Sequence, residues 1–378
     1  MDKSRHSHHA WVEIDLGAVE HNVRQLKRLC NTELMAVVKA DAYGHGAEKI
    51  SKIALSAGAS RLAVAFPQEG KALRRAGIAV PILVMSTYFP GQEEYYVEYR
   101  LSPTISSAEG LERLSNVARR YKARVNIQIH VDTGMSREGV LIQDLPRLIH
   151  RSQNLPGIQP EGLLSHFACA DVEGMPEVYL QLHRFEQALK LAQKCGWNPH
   201  AIHIANTAAF LEGVSLPTCN MVRLGISLYG LYPSLSVKKA VELKPALSFH
   251  TVVTTVKRVP EGSGVSYGFA YRTQKETTLC TLPVGYADGF SRILSGKAEV
   301  LIGGRRFPVV GRICMDQCVV DVGDYPASIG EEAVLLGTQE NEEITAQEWA
   351  EKLKTINYEV VCMISNRIPR IYTYKNHN

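Results

Sequence analysis

The stretch "LMAVVKADAYGHG", residues 34–46, decides how the rest of the chain is interpreted. Five apolar residues lead directly into Lys39, after which the chain turns polar and ends in Gly-His-Gly. A short apolar run of this kind is typical of a buried strand. A buried lysine without a partner is rare because removing its charge from water is costly. We therefore expect Lys39 to stand at the end of a buried strand, either paired with another group or no longer an ammonium ion.

Outward from this stretch, short apolar runs alternate with amphipathic helical segments from about residue 11 to 235. Strands are predicted at 11–16, 34–40, 61–66, 81–85, 101–105, 124–132, 162–168, 201–206 and 220–228, and helices at 17–30 and 176–195. About eight such repeats match a closed (β/α)8 barrel, a TIM-like α/β fold, better than an open sheet. An open, doubly wound sheet is the alternative, but no Gly-x-Gly-x-x-Gly follows the first strand.

The pattern changes at about residue 240, where short strands become separated by Gly and Pro. Strands are predicted within 246–259, 277–284, 298–315, 318–322 and 333–337, with a helix only at 345–354. The sequence thus predicts a barrel at 11–239 and a β-rich C-terminal domain at 240–378. We expect the first ten or so residues to pack with the second domain.

Composition excludes several classes of function. The 378 residues are 45% apolar and 21% charged with a net charge of +4, and the basic pairs are scattered, so we expect no nucleic-acid partner. No apolar run approaches the ~20 residues that span a membrane. The first ten residues lack the apolar core of a signal peptide, and the eight cysteines form no Cys-x-x-Cys pair. These features predict a cytoplasmic protein with reduced thiols and no metal centre.

Polar side chains recur where the predicted barrel strands end. They are Lys39, Tyr43, Asp132, Arg137, His166, His203, Asn206, Thr207 and Arg223. Each has an ordinary structural explanation on its own, such as a satisfied core histidine or a surface ion pair. Catalytic groups of a barrel lie at the carboxyl ends of its strands. Their repetition at one end of successive strands therefore predicts an active site there.

The motif "AVVKADAYGHG" resembles the cofactor-lysine signature of the alanine racemases, barrel-type enzymes that depend on pyridoxal 5'-phosphate. Further motifs resemble that family in the same order: "VDTGMSREG" (131–139), "SHFACAD" (165–171), "IHIANTAA" (202–209), "MVRLGISLYG" (221–230), "VSYGFAY" (265–271), "GYADGFSR" (285–292), "GRICMDQ" (311–317) and "NYEVVCMISNRIPRIY" (357–372). The resemblance covers nearly the whole chain, including the β-rich domain.

The resemblance implies an isomerase that interconverts L- and D-alanine. Lys39 would carry the cofactor as an aldimine and act as one base, and Tyr267 of a partner subunit would act as the second base on the other face of Cα. A homodimer with shared sites follows, because Tyr267 is expected to reach Lys39 only from the partner. The family also implies supply of D-alanine for peptidoglycan.

The resemblance assigns further residues around the site. The cofactor phosphate is expected on Tyr43, Thr207, the backbone of Gly225 and Ile226, and Tyr358. Arg223 is expected to face the pyridine nitrogen, with His166 and His203 linked to it. The substrate carboxylate is expected on Arg137 and the backbone N–H of Met315. Tyr286 and Tyr358 would form the entrance, with Arg292 and Asp316 in the surrounding polar shell. Thr207 replaces a more usual serine, and it could equally be a helix N-cap.

One position departs from the family. Many members carry a lysine ahead of "DTGM", which can be carbamylated and so supply a negative partner for the substrate-binding arginine. That position is His130 here. A neutral histidine can accept one hydrogen bond but brings no negative charge. Our hypothesis is that His130 positions Arg137, with or without a bound anion.

Three other functions are open to a sequence of this kind. A racemase of the same fold could act on serine or a larger amino acid. A decarboxylase with a similar two-domain plan would need a glutamate where Arg223 stands and a cysteine-centred motif that is missing. A non-catalytic cofactor carrier would be a bare barrel, without residues 240–378.

Overall fold

The structure is a computed structural model that describes residues 8–87 and 90–377. The prediction for the extreme N-terminus therefore lies, for residues 1–7, outside the described residues. The chain divides into two compact units. One comprises Val19–Lys244, and the other comprises the described part of Met1–Ala18 together with Pro245–His377.

The unit Val19–Lys244 is built on eight parallel strands. In spatial order they are Met221–Leu224, Glu33–Val37, Arg61–Val64, Ile82–Thr87, Ser102–Ile105, Val125–Asp132, Ile158–Leu164 and Ala201–His203, with the short strand Val140–Leu141 paired to the sixth. Backbone hydrogen bonds from the N–H groups of Asn220 and Arg223 to the carbonyls of Ile202 and Ala205, both 3.1 Å, link the first strand to the last. The sheet is therefore a nearly closed, TIM-like barrel, and the predicted fold class is confirmed.

Helices, most of them amphipathic, alternate with these strands. They are Leu16–Leu29, Ala47–Ser56, Pro67–Arg75, Glu93–Glu98, Ala108–Arg120, Leu145–Asn154, Glu177–Lys194 and Thr207–Leu211. The helix Ala108–Arg120 shows why they form. Ser107 caps it by accepting the Gly110 N–H at 3.2 Å, and Leu111 and Leu114 are fully buried on one face. Apolar spacing and a capping residue thus define the helix that the sequence specifies.

The second unit is a ten-stranded sheet that is mainly antiparallel. Its strands are Ala10–Asp15, Leu247–Val252, Thr255–Val259, Thr277–Leu282, Glu299–Ile302, Arg305–Val310, Cys318–Gly323, Glu332–Gln339, Glu342–Ile344 and Arg370–Thr373. A separate hairpin pairs Gly264–Val265 with Tyr271–Arg272. The predicted β-rich domain is confirmed, although two of its predicted strands, 246–259 and 298–315, are each interrupted by two residues outside any strand.

The strand predicted at 11–16 does not belong to the barrel. Ala10–Asp15 pairs antiparallel with Leu247–Val252 and parallel with Arg370–Thr373 in the second sheet. All six of its side chains are buried, including Glu13, which accepts a hydrogen bond from the Trp11 indole at 3.1 Å. An apolar run followed by an amphipathic helix looks the same in either sheet, because sequence spacing does not identify the pairing partner.

The second unit also contains a helix that the sequence pattern missed. Besides Ala346–Leu353, where a helix was predicted, Asn357–Cys362 is helical. Its six residues are too few to display a helical period, and only three residues separate it from the helix Ala346–Leu353. Tyr358 lies on this short helix. Within residues 8–87 and 90–377, no helix combines the length and the apolarity needed to cross a membrane.

Candidate active site

Lys39 follows the strand Glu33–Val37 and begins a left-handed turn. Ala40, Asp41, Ala42 and Tyr43 all have φ between 51° and 54°. Each L-residue in this conformation costs ~1–2 kcal/mol, because its Cβ approaches the following carbonyl oxygen. Strain of this kind persists only where surrounding groups hold the backbone, and it is concentrated at functional sites.

Glu69 supplies part of that support. Its Oε1 accepts the Ala40 N–H at 2.6 Å, and its Oε2 accepts the N–H groups of Ala65 and Phe66 at 2.7 and 2.9 Å. One carboxylate therefore joins the ends of two neighbouring strands. The Asp41 carboxylate accepts the Ala47 N–H at 2.7 Å and ties the far end of the turn to the next helix. Sequence reasoning did not identify Glu69.

Five of the predicted residues surround one cavity of about 300 Å³ at the strand ends of the barrel. They are Lys39, His130, Arg137, His166 and Arg223. The loop that carries Arg137 is shaped by Asp132, whose Oδ1 accepts the N–H groups of Gly134 and Met135 at 2.8 and 3.0 Å. Glu138 is the one acidic residue among the described residues that line the cavity, beside three cationic and two imidazole side chains, and this excess of positive charge suits an anionic ligand.

Arg223 is the centre of a buried hydrogen-bond network. Its Nη1 donates to His203 Nδ1, and its Nη2 donates to His166 Nδ1 at 3.1 Å and to the Ser165 carbonyl at 2.7 Å. His203 Nε2 in turn donates to Gln128 Oε1 at 2.7 Å. Because both Nδ1 atoms accept from a guanidinium that has only donors, each ring is the tautomer with its proton on Nε2. His166 thus has an N–H to donate.

The electrostatics keep the imidazoles neutral. Burial and then the Arg223 charge lower the pKa of His166 and His203 well below the usual value. The same two causes, followed by Arg137, lower the pKa of His130 to about 4. Burial also lowers the pKa of Arg223 to about 10, so the guanidinium still carries its proton at neutral pH. Arg223 is therefore the fixed charge of this network.

His130 does not obtain a partner through Nδ1. The side chain is 6% exposed, and this atom has no hydrogen-bond partner among the described residues. A buried polar atom without a partner costs ~1–3 kcal/mol. No hydrogen bond to Arg137 is made through this atom, so Nδ1 is available to a ligand or to a moved guanidinium. The positioning of Arg137 by His130 stays a prediction.

These shifted histidines predict acid-sensitive stability. The unfolded chain has histidines with pKa near 6.5, so below that pH it binds more protons than the folded chain. The free energy of unfolding should fall as pH drops from about 6.5 towards 4, by at most ~1.4 kcal/mol per pH unit for each such histidine, and should not depend on them above about pH 7.

Denaturant midpoints of the wild type and of His130→Asn at pH 5, 6, 7 and 8 measure this effect. The variant should lose less stability on the acid side, whereas His183→Asn, at an exposed helix position, is the matched control. A wild-type midpoint that is flat between pH 5 and 8 would contradict the prediction.

A second group of predicted residues meets beside the last barrel strand. The Gly225 N–H donates to Thr207 Oγ1 at 3.0 Å, and a Cβ built on Gly225 would lie 2.6 Å from the Tyr43 hydroxyl. Tyr43, Thr207 and Gly225 are therefore in close contact, with Ile226 next in the chain. Thr207 is not the N-cap, since Asn206 accepts the Ala209 N–H at 3.0 Å and Thr207 is the first helical residue.

Tyr267 lies in the second unit, on an exposed and strained turn. It is 70% exposed, its neighbour Phe269 is 63% exposed, and Ser266 and Phe269 have φ of 59° and 46°. Ser266 holds the turn by donating to the Arg312 carbonyl at 2.6 Å. Tyr267 shares a surface cleft with Met315, which is 53% exposed. Two large side chains are thus held out in solvent by a backbone that is costly to form.

The remaining predicted residues also lie in the second unit. Tyr286 is half exposed, and the N–H groups of Tyr286 and Ala287 donate to the carbonyls of Cys314 and Met315 at 3.0 Å each. Arg292 is exposed in the short helical turn Arg292–Leu294. Tyr358 is half-buried on its helix.

Asp316 is ion-paired with Arg367, and the structure adds two residues to this group that the sequence did not reveal. Arg367 bonds both Asp316 and the fully buried Asp288. A long-range arginine bridge of this kind has no local sequence signal.

The two units match two consecutive family models. Residues 14–233 match the alanine racemase N-terminal domain, and residues 246–372 match the alanine racemase C-terminal domain. The chain belongs to the alanine racemase family. This membership accounts for the ordered motifs and makes the protein an amino-acid racemase, an isomerase, as the sequence predicted.

Individual relatives agree with the family models. The alanine racemase of Halothermothrix orenii is 43% identical over 97% of each chain. The solved alanine racemase of Streptomyces lavendulae is 40% identical over 97% of each chain, with a TM-score of 0.92. A structure of alanine racemase from Bacillus anthracis with bound L-Ala-P is 38% identical with a TM-score of 0.91, over 98% of this chain and 96% of that one. A histidine racemase from Leuconostoc mesenteroides is 28% identical, with a TM-score of 0.89, over 97% and 98%.

Proposed function

We propose that the protein interconverts L- and D-alanine with pyridoxal 5'-phosphate as cofactor. The observation that carries the proposal is that Lys39, Arg137 and Arg223 line one cavity together at the strand ends. A lysine amine and two guanidinium groups in about 300 Å³ suit a small amino acid and a phosphate-bearing aldehyde. Membership of the alanine racemase family supports the choice of alanine.

The described residues fit the cofactor. Tyr43 and Thr207 offer hydroxyls, and Gly225, which lacks a Cβ, lets the Tyr43 hydroxyl come close to the backbone of Gly225 and Ile226, where we place the phosphate. Lys39 would hold the aldehyde carbon and Arg223 the ring nitrogen. When bound, the cofactor supplies the electron-withdrawing group that makes the substrate Cα–H acidic. The role of Tyr358 at the phosphate and at the entrance stays a prediction from the resemblance.

Racemisation removes a proton from one face of Cα and returns it to the other, which two groups on opposite faces do most directly. We assign Lys39 to one face and Tyr267 of a second copy to the other. The exposure and the strained backbone of Tyr267 support its reaching out of its own chain. His166 supports the tyrosine, because its Nε2–H can donate to a phenolic oxygen and so favour its deprotonated form. The proposed active unit is accordingly a homodimer with shared sites.

The carboxylate of the substrate is assigned to Arg137 and to the backbone N–H of Met315 from the second copy. A guanidinium binds a carboxylate through two parallel hydrogen bonds, which fixes its orientation. Tyr286 would narrow the entrance, and Arg292 and Asp316 would belong to the polar shell around it. A narrow entrance is what limits the substrate to a small side chain.

His130 is assigned to the support of Arg137. With a pKa of about 4 it brings no charge at neutral pH, and its buried Nδ1 can accept a guanidinium N–H once Arg137 moves towards it. A small anion beside Arg137 could supply the missing negative charge. A crystal grown in bromide that shows no anomalous peak next to Arg137 would exclude the anion.

The direct test is an assay in D2O. Purified protein is incubated with D- or L-alanine while optical rotation and Cα–H exchange are followed. Both signals should change together, and neither should change without the cofactor. Serine and histidine are tested in parallel, because the similar histidine racemase makes another amino acid the second candidate substrate. Faster turnover of either one would replace alanine in the proposal.

The physiological role is proposed on the same basis. D-Alanine is a component of bacterial peptidoglycan, and we assign the protein to its supply from the cytoplasm. Growth without added D-alanine, in a bacterial strain that lacks its own racemase and expresses this chain, tests the assignment. Failure to grow despite racemase activity in the lysate would contradict it.

Gly225→Ala should weaken cofactor binding. The new methyl group would lie 2.6 Å from the Tyr43 hydroxyl and would displace that ring from the proposed phosphate site. We expect the dissociation constant of the cofactor to rise at least about tenfold, measured by titration of its visible absorbance. Because the methyl group acts through the Tyr43 hydroxyl, Gly225→Ala and Tyr43→Phe should be non-additive in the double variant. Additive effects, or an unchanged constant in Gly225→Ala, would contradict this account.

A further inference from the structure

Three segments of the second unit are joined closely around Met315. The N–H groups of Tyr286 and Ala287 donate to the carbonyls of Cys314 and Met315 at 3.0 Å each. A Cβ on Gly285 would lie 2.3 Å from those same two carbonyl oxygens, so the backbones approach too closely for any other residue. The third segment is joined through the Ser365 N–H, which donates to the Asp288 carbonyl at 3.0 Å.

Arg367 spans this arrangement with one guanidinium. Its Nε donates to Asp288 Oδ1 at 2.6 Å, and its Nη2 donates to Asp316 Oδ1 at 2.6 Å. Asp288 is fully buried and also accepts the Gly285 N–H at 2.8 Å through Oδ2. The bridge thus links a buried, fixed carboxylate to an exposed one that is adjacent to Met315. Its two ion pairs raise the pKa of the Arg367 guanidinium.

We propose that Arg367 is a positioning residue for the substrate carboxylate, because it holds the backbone of Met315 and the ring of Tyr286 in one fixed arrangement through Asp316 and Asp288. The inference rests on the proposed function, in which the Met315 N–H binds that carboxylate.

The burial pattern explains why such a bridge is needed. Met315 is 53% exposed and Tyr286 is 42% exposed, so burial of their side chains contributes little to holding the Met315 backbone and the Tyr286 ring. Asp288, in contrast, has no exposed surface. Its carboxylate accepts the Gly285 N–H, and its carbonyl accepts the Ser365 N–H. A displacement of about 1 Å in a group that orients the substrate can cost about a hundredfold in rate. A guanidinium fork restrains both carboxylates at once, which a lysine ammonium cannot do with the same geometry.

Arg367→Gln tests the proposal, with Arg258→Gln as the matched control. Arg258 belongs to the same unit, has a similarly exposed side chain and also pairs with two carboxylates, Glu276 and Asp324. In the cofactor-loaded enzyme, Arg367→Gln should raise the KM for alanine and the inhibition constant of propionate about tenfold or more, with a smaller change in kcat. The visible absorbance of the bound cofactor should not change. Arg258→Gln should leave all four quantities near the wild-type values.

Asp316→Asn provides a second test if Arg367→Gln does not fold. It leaves the buried pair of Arg367 with Asp288 intact and weakens only the link to the Met315 segment, because an amide oxygen accepts the Arg367 N–H without the charge of a carboxylate. It should raise KM and the propionate constant in the same direction, and the double variant Asp316→Asn/Arg367→Gln should be no worse than Arg367→Gln alone. Arg367→Lys should recover part of the loss.

Two failures can be told apart. If the wild type does not racemise alanine, the proposed function is wrong. If the wild type is active but Arg367→Gln and Asp316→Asn match Arg258→Gln in KM and propionate binding, the positioning role of Arg367 is wrong and the proposed function stands.

Discussion

Tyr267→Phe should lose racemase activity by about 10²- to 10⁴-fold while keeping its cofactor, because only the phenolic proton carrier is removed. Tyr267 is 70% exposed in its own chain, so the substitution leaves no buried cavity and no unpartnered buried group. The loss should therefore appear in kcat and in Cα–H exchange, not in stability. Initial rates with both alanine isomers and the visible absorbance of the bound cofactor measure the effect.

Tyr271→Phe is the matched control for this variant. Tyr271 belongs to the same hairpin, and its hydroxyl donates to Asp321 Oδ2 at 2.9 Å. Tyr271→Phe removes a tyrosine hydroxyl from the same hairpin, as Tyr267→Phe does, but this hydroxyl has no role in the proposed proton transfer. Activity should therefore stay near the wild-type value. Full racemase activity in Tyr267→Phe would contradict the two-base assignment.

Mixed dimers test whether Tyr267 acts across the subunit boundary. Lys39→Ala and Tyr267→Phe should each be inactive alone. If the variants are mixed and allowed to exchange subunits, half the dimers are hybrids, and each hybrid has one site with both intact groups. About a quarter of the wild-type activity should return, as expected for symmetric two-fold sites. If mass spectrometry shows that hybrid dimers have formed but no racemase activity returns, Tyr267 does not act in the partner's site.

Arg223→Glu should lower racemisation at least about a hundredfold and increase transamination, seen as pyruvate formed from alanine. The buried guanidinium is an obligatory donor, whereas a carboxylate accepts. A cofactor nitrogen facing a carboxylate would be protonated and would withdraw electrons more strongly. The same substitution removes the positive charge that lowers the pKa of His166 and His203, so their pKa should rise.

Arg223→Lys is the control for the arginine. It keeps a cation in the cavity and should not increase pyruvate formation, although it cannot reproduce the bonds to both imidazoles and to the Ser165 carbonyl. Racemisation should therefore fall in both variants, and only Arg223→Glu should gain transamination. Equal pyruvate formation in the two variants would contradict the role of Arg223 in suppressing that reaction.

The barrel could be predicted because its strands and helices repeat at regular spacing along the chain. The pairing partner of a strand could not be predicted in the same way, because pairing depends on contacts that are distant in sequence. The spacing predicts the strand at 11–16 as part of the barrel, yet the observed strand Ala10–Asp15 has its partners more than 200 residues away in the second sheet. Asn357–Cys362 was missed for another reason, because six residues are too few to show a helical period.

In the site too, some residues could be predicted from the sequence and others could not. Residues at strand ends, such as Lys39, His166 and Arg223, could be grouped from the sequence because barrel geometry brings those ends together. The groups that hold them could not. Glu69 and Arg367 act through contacts with segments 29 and 51 residues away, and nothing next to them in the chain marks that use.

The left-handed turn after Lys39 bears on how far its sequence motif can be transferred. Four consecutive residues of the types Ala, Asp and Tyr do not adopt this backbone by local preference, and the segment has no glycine at residues 40–43 to ease it. The carboxylate of Glu69, which lies outside the motif, therefore helps to hold the motif in this conformation. Grafted into another barrel without such a carboxylate, "KADAY" should relax to a right-handed turn and point its lysine elsewhere. The motif identifies relatives of this protein, but it is not a self-contained building block.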